Sequence, residues 1–119
     1  MEFYVCENCG NIITYLKKSG VSAICCGQKM NEITSNGAAE KHIPVVSIDG
    51  NKVIVEVGLV EHPMVEEHFI EWIAIETTKG FQITKLSHTD KPRAEFELTN
   101  NAELISVYEY CNLHGLWKK

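Results

Sequence analysis

The sequence lacks three features that would place it in a large class of proteins. No apolar run reaches the roughly 20 residues that a membrane-spanning helix needs. The start, "MEFYV", carries an acid and no basic flank, so we expect no signal peptide. Basic residues form no cluster, since "LKKSG" and the terminal "WKK" are short and far apart, and the net charge is −5. We therefore expect no membrane or nucleic-acid partner and a cytoplasmic location.

Cysteine and histidine are distributed unevenly along the 119 residues. The first 34 or so residues hold four of the five cysteines and no histidine, and the rest hold all five histidines. The turn signal Asn36-Gly37, in "TSNGAAE", lies at this change of composition. We predict one small domain over residues 1–36 and a larger one over residues 37–119.

The apolar pattern predicts an all-β fold. "NKVIVEVG" places Val53, Val55 and Val57 on one face, and "RAEFELT" alternates in the same way. "HFIEWIAIETT" is apolar at successive positions, and its β-branched content favours a central strand over a helix. Turn signals such as "DGN", "TTKG" and "TDKP" separate these runs, which is typical of a sandwich or barrel.

The front segment is too small to be stable by apolar burial alone, and its cysteines point to a metal. They are Cys6, Cys9, Cys25 and Cys26, in the order C-x2-C, fifteen residues, C-C. Neighbouring residues of a strand face opposite sides, so "ICCG" must be a turn if both sulfurs reach one ion. A reduced cytoplasm disfavours the alternative of two disulfides. Four thiolates suit zinc or iron, the adjacent pair favours iron, and a closed site suits electron transfer.

A second set of candidate metal ligands lies in the larger segment. Its members are His42, His62, His68, Cys111 and His114. Each residue alone is weak evidence for a metal site, because a single histidine is more often a surface or core residue than a ligand. Together they are stronger, since Cys111 and His114 have C-x2-H spacing and the others adjoin strands. All five can meet at one rim of a β-sandwich.

These stretches resemble the desulfoferrodoxin family, the two-iron form of superoxide reductase. "VCENCGN" and "ICCG" resemble its desulforedoxin-like, rubredoxin-like module, and "EKHIP", "HPM", "EEHFIEW" and "CNLHGLW" resemble its catalytic iron site in order. The resemblance implies an immunoglobulin-like β-sandwich and a homodimer. It also implies four equatorial histidines around iron, an axial Cys111 and an open sixth position. His88 matches no ligand position and is interpreted as a surface loop residue.

The resemblance further implies an enzyme that reduces superoxide to hydrogen peroxide without evolving dioxygen. The electron would come from the ferrous ion held by the four histidines and one cysteine. Lys41 would guide the anion and organise protons, and Glu40 would occupy the sixth position of the resting ferric site. The four-cysteine iron would be an accessory electron-transfer site, and an external rubredoxin-like protein would be the donor.

Two other readings explain part of the pattern. A zinc-ribbon-like binding module accounts for the four clustered cysteines and leaves the histidines accidental. A simple one-electron carrier would use both irons and no substrate. The sequence leaves open the physiological donor, the metal and role of the four-cysteine site, the redox potentials and any dimer interface.

Overall fold

The computed structural model describes residues 1–36 and 42–119, which form twelve strands and no helix. Glu40 and Lys41 lie outside these residues. No helix within the described ranges is long and apolar enough to cross a membrane. The chain divides into two compact units, Met1–Thr34 and Ser35–Lys119. This division falls two residues before the boundary that the sequence predicted.

The first unit is built from five two-residue strands. They are β1 (Tyr4–Val5), β2 (Ile12–Ile13), β3 (Ile24–Cys25), β4 (Gln28–Lys29) and β5 (Asn31–Glu32). The first, second and fifth form an antiparallel sheet in the order β2-β1-β5, and β3 pairs with β4 as a hairpin. The buried cluster contains only Tyr4, Cys6 and Met30. Units of some 34 residues with so small an apolar core usually need a metal, a disulfide or a partner subunit to fold, and the four cysteines offer a metal site.

The second unit is a β-sandwich of seven strands. They are β6 (Pro44–Asp49), β7 (Lys52–Val57), β8 (Ile70–Thr77), β9 (Gly80–Lys85), β10 (Arg93–Glu97), β11 (Leu104–Cys111) and β12 (Gly115–Lys118). One sheet has the order β10-β7-β6 and the other β12-β11-β8-β9. The chain crosses between the sheets after β7, β9 and β10. The all-β prediction, with a small cysteine module followed by an immunoglobulin-like sandwich, is confirmed.

The sandwich core follows the predicted alternation. Val53, Val55 and Val57 are buried on one face of β7, and Ala94 and Phe96 face the core from β10. The predicted central strand is β8, whose inward isoleucines pack in the same cluster. Each fully buried side chain of this size contributes roughly 1.5–3 kcal/mol. The sandwich therefore has an apolar core of its own.

Strand pairing brings several chain segments to one end of the sandwich. Pro44 at the start of β6 pairs with Val57 at the end of β7. Ile70 at the start of β8 pairs with Cys111 at the end of β11, and Cys111 also pairs with Gly115 at the start of β12. The segments that precede β6 and β8 and that follow β7 and β11 meet there. Together with Cys111 at the end of β11, they carry all five candidate ligands of the second set.

Candidate metal centres

The four cysteines of the first unit come from two tight turns. Cys6 follows β1, and the next turn is closed by a hydrogen bond from Gly10 N to the Cys6 carbonyl at 2.8 Å. Cys25 ends β3 and pairs with Gln28, so Cys26 and Gly27 form a two-residue hairpin turn. Their φ angles are 53° and 74°. Two left-handed residues in succession define a type I′ turn, which is how two adjacent cysteines reach one centre.

The sulfur positions fit a tetrahedral metal. The four Sγ atoms lie within 4.8 Å of one another, and Cys9 Sγ is 3.5 Å from Cys25 Sγ. A tetrahedral site with metal–sulfur bonds of about 2.3 Å has sulfurs roughly 3.8 Å apart. All five cysteines of the chain are free thiols. The cluster can therefore hold zinc or iron with little rearrangement.

The thiols of this cluster differ in acidity. The backbone N–H groups of Cys9 and Asn8 lower the pKa of Cys6 to about 6. The neighbouring thiols of Cys9 and Cys6 raise the pKa of Cys25 to about 12. The side-chain amide of Asn11 opposes that rise by donating to Cys25 Sγ at 3.6 Å. Four sulfurs this close cannot all be ionised without a cation between them, which is the electrostatic condition of a metal site.

The second cluster lies at the loop end of the sandwich described above. His42 lies shortly before β6, and His62 and His68 belong to the connection between β7 and β8. Cys111 ends β11, and His114 lies in the turn that leads to β12. Donor atoms of His42, Cys111 and His114 lie within 4.8 Å of one another, and so do those of His62, His68 and Cys111. Cys111 is therefore common to two groups of candidate ligands.

The four imidazoles form a nearly square ring. Successive ring centroids lie 4.7 Å apart for His42–His62, 4.7 Å for His62–His68, 5.0 Å for His68–His114 and 4.9 Å for His42–His114. The diagonal between His42 and His68 is longer, at 6.5 Å. Adjacent ring planes are inclined by 61–80°. Four imidazoles at the corners of a square match the equatorial ligands of a single metal ion.

Local hydrogen bonds fix the rings in this arrangement. Nδ1 of His62 is 2.7 Å from the Pro63 carbonyl, so Nδ1 carries the proton and Nε2 is left as the metal donor. The side-chain amide of Asn36 donates to the His114 carbonyl at 2.7 Å. His114 is solvent-exposed, whereas His42, His62 and Cys111 are buried. The cluster is therefore open to solvent on the His114 side.

Two residues that pair across neighbouring strands, Glu109 and Trp117, lie beside His42. Glu109 on β11 pairs with Trp117 on β12. The Trp117 indole stacks on the His42 ring, with centroids 4.6 Å apart and planes 7° apart. Oε1 of the fully buried Glu109 lies 3.9 Å from His42 Nδ1. The Glu109 carboxyl group and the Trp117 indole therefore both lie beside the His42 ring.

Burial also raises the pKa values of two groups beside the histidines, the carboxyl of Glu109 and the thiol of Cys111. Desolvation raises the pKa of Glu109 to about 9. It also raises the pKa of the Cys111 thiol, which the N–H groups of Leu113 and His114 partly counteract. Within the part of the chain that the structure describes, no lysine or arginine offsets either rise. A metal held by the ring of histidines supplies that positive charge.

Comparison with known proteins decides the family. The Desulfoferrodoxin family model matches residues 34–119. A desulfoferrodoxin from Syntrophotalea carbinolica is 45% identical over 98% of this chain and 94% of its own length.

This chain belongs to the desulfoferrodoxin family.

Solved structures agree with this assignment. The superoxide reductase from Treponema pallidum is similar with a TM-score of 0.84 and 36% identity, covering 99% of this chain and 95% of its own. The one-iron superoxide reductase from Giardia intestinalis covers 68% of this chain and 96% of its own, with a TM-score of 0.58 and 28% identity. The desulfoferrodoxin fold thus extends over both units of the present chain.

The structure brings all the described candidate ligands into the two clusters that the sequence predicted. The assignment of individual residues as iron ligands stays a prediction. Glu40 and Lys41 lie outside the described ranges. His88 is exposed in a turn, as interpreted. Sequence reasoning missed the residues that surround the ligands, namely Asn36, Glu109, Asn112 and Trp117. No local motif marks them, because their roles arise from pairing across strands and between loops.

Proposed function

We propose that this protein is a superoxide reductase. It reduces one superoxide anion with one electron and two protons to one hydrogen peroxide and releases no dioxygen. The observation that carries this function is the square of four imidazoles with a buried thiol shared by both donor groups. Family membership and the likeness to named superoxide reductases support it.

Each metal centre has its own ligand set in this proposal. One iron is held by Cys6, Cys9, Cys25 and Cys26. The second is held by His42, His62, His68, Cys111 and His114. With four imidazoles and one thiolate as donors, a six-coordinate ion would have one position free for an anion. When bound there, ferrous iron supplies the single electron that superoxide accepts, which zinc cannot do.

The protein side chains control the charge at this second centre. Neutral imidazoles add no charge and the Cys111 thiolate adds one negative charge, so a ferrous centre keeps a net charge of about +1. A local positive potential attracts a small anion even though the whole chain carries a net charge of −5. The N–H groups of Leu113 and His114 stabilise the thiolate. They thereby limit how much electron density the sulfur donates to the metal.

Glu40 and Lys41 complete the proposed catalytic residues. Lys41 would attract superoxide and organise protons, and Glu40 would be a ligand of the ferric ion. Lys41→Met should slow superoxide capture and weaken its salt dependence, because one guiding charge is lost. Lys79→Met is the matched control, since Lys79 is an exposed lysine in the turn after β8, at the opposite end of the sandwich. Equal capture rates for Lys41→Met and Lys79→Met at low salt would remove the role of Lys41.

Glu40→Ala should change the ferric spectrum more than the capture rate.

Three further statements belong to the same proposal. The four-cysteine iron is an accessory electron-transfer site, and a rubredoxin-like protein returns the electron after each turnover. The protein is a cytoplasmic homodimer. A cytoplasmic location suits a ligand set with five thiols, since thiols persist in a reducing compartment.

The decisive experiment combines metal analysis with product stoichiometry. Purified protein should contain two irons per chain and absorb visible light when oxidised. Superoxide added to the reduced protein should change the spectrum of the histidine site and give one peroxide per superoxide. One peroxide for two superoxides, with dioxygen, would indicate a dismutase. A colourless protein with zinc would indicate a binding module, and iron without any reaction would indicate an electron carrier.

A further inference from the structure

The side chain of Asn112 joins two loops that carry candidate ligands. Its Oδ1 accepts a hydrogen bond from the Phe69 backbone N–H at 3.0 Å. Its Nδ2 donates to the Glu67 carbonyl at 3.0 Å. The backbone N–H of Asn112 also donates to the Phe69 carbonyl at 3.2 Å. Since Glu67 and Phe69 are the two chain neighbours of His68, one residue holds the backbone on both sides of a candidate ligand.

The Asn112 bonds fix the position of the His68 turn relative to Cys111, which the turn's own hydrogen bonds do not. His68 and Val65 exchange two backbone hydrogen bonds, at 3.0 and 3.1 Å, which close the turn and fix its internal shape. They do not fix where the turn lies relative to the thiol. Asn112 follows Cys111 directly, so its bonds tie the His68 backbone to the position of the Cys111 sulfur.

The chemistry of the site requires an amide. One atom must accept from a backbone N–H while the other donates to a backbone carbonyl, and an asparagine side chain has both groups. An aspartate would keep the acceptor but place an oxygen against the Glu67 carbonyl. An alanine would leave both backbone groups without this partner. Both polar atoms of the Asn112 side chain are engaged by these backbone groups.

We propose that Asn112 is a positioning residue of the second iron site. It holds the His68 imidazole at the distance from Cys111 Sγ that one ion requires, and so sets the affinity and geometry of that site. This inference rests on the proposed ligand set. Residues that orient metal ligands typically change metal affinity by about 10–100-fold when they are replaced.

The test compares Asn112→Ala and Asn112→Asp with Asn51→Ala in the full chain. Asn51 is a matched control, because its side-chain amide also donates to a backbone carbonyl, that of Leu98 at 3.5 Å. It lies in the turn between β6 and β7, away from the ligands. Ferrous iron is titrated against a chelator, and both iron sites are followed by absorption and electron paramagnetic resonance. The four-cysteine site serves as an internal reference for loading.

Asn112→Ala should weaken iron binding at the histidine site about 10–100-fold and alter its ferric resonance, with the four-cysteine site unchanged. Asn112→Asp should lie between Asn112→Ala and the wild type, and Asn51→Ala should match the wild type. Affinity within twofold of wild type together with an unchanged ferric resonance would overturn the inference. If tryptophan fluorescence shows that Asn112→Ala is unfolded, the isosteric Asn112→Asp is judged by the same criterion. A wild type that loads iron only at the cysteines would instead refute the proposed function.

Discussion

Glu109 gives the sharpest test of the electrostatics at the loop end of the sandwich. Its side chain is fully buried, and neither carboxylate oxygen has a hydrogen-bond partner among the described residues. Desolvation raises its pKa from 4.5 to about 9. Without metal, the folded chain therefore binds this proton more tightly than the unfolded chain does. The stabilisation is complete below pH 4.5 and is lost as the pH rises toward about 9.

The magnitude follows from proton linkage. Between these two pKa values, stability falls by about 1.4 kcal/mol for each pH unit. From about pH 5 to about pH 7, the metal-free protein should therefore lose about 3 kcal/mol through this one group. Glu109→Gln removes the titration at nearly constant volume, so its stability should be flatter over this range. Bound iron should also flatten the wild-type profile, because positive charge stabilises the carboxylate.

Urea unfolding of the metal-free protein at a series of pH values is the assay. Both tryptophans of the chain, Trp72 and Trp117, lie in the sandwich, so their fluorescence follows that unit. Glu97→Gln is the control, since Glu97 is exposed on β10. Parallel profiles for the wild type and Glu109→Gln between about pH 5 and about pH 7 would refute the reasoning.

Three further changes test the positions of other residues. Gly27→Val forces a branched side chain into a left-handed turn and should destabilise the hairpin by about 1–2 kcal/mol. The four-cysteine site should then lose its metal to a chelator faster than in the wild type. An unchanged rate of metal loss would contradict this prediction. Asn11→Leu removes an N–H donor from Cys25 Sγ and should lower the reduction potential of the four-cysteine iron. Asn8→Leu is the control, because the Asn8 donor to Cys6 is a backbone N–H that the variant keeps, and its potential should be that of the wild type. Equal potentials in voltammetry would exclude that tuning role. Trp117→Leu should broaden the ferric resonance of the histidine site, because the stack on His42 is lost. Trp117→Phe keeps an aromatic ring and should give the wild-type resonance. Trp72→Leu is the control and should leave the resonance unchanged. A resonance unchanged in Trp117→Leu would show that the stack does not hold the ring.

Much of the fold could be predicted from local patterns. The valines of β7 and the alternating residues of β10 face the core because the side-chain period of a strand is two. The adjacent pair Cys25-Cys26 required a turn for the same reason, and the structure places a type I′ turn there. The candidate ligands could be named because histidine and cysteine side chains carry their chemistry wherever they lie. Each of these predictions depends on residue type and short spacing.

The residues around the ligands could not be predicted in this way. Glu109 lies two residues before Cys111 in "YEYC", and a solvated acid is the ordinary interpretation of such a residue. Only its pairing with Trp117 and the approach of His42 make it a buried carboxyl beside an imidazole. Asn112 likewise acts on residues 43 and 45 positions away along the chain.

The sequence by itself determined which atoms are available to bind metal and which strands bury their faces, because both depend on residue identity and the period of the backbone. The tertiary structure alone decided that four imidazoles form a ring close to one thiol, and which acid and indole lie beside that ring and which amide bonds to the backbone that carries it. These contacts join segments far apart in the chain. Their distances are set by the register of paired strands and the closure of the sandwich, which no short stretch of sequence encodes.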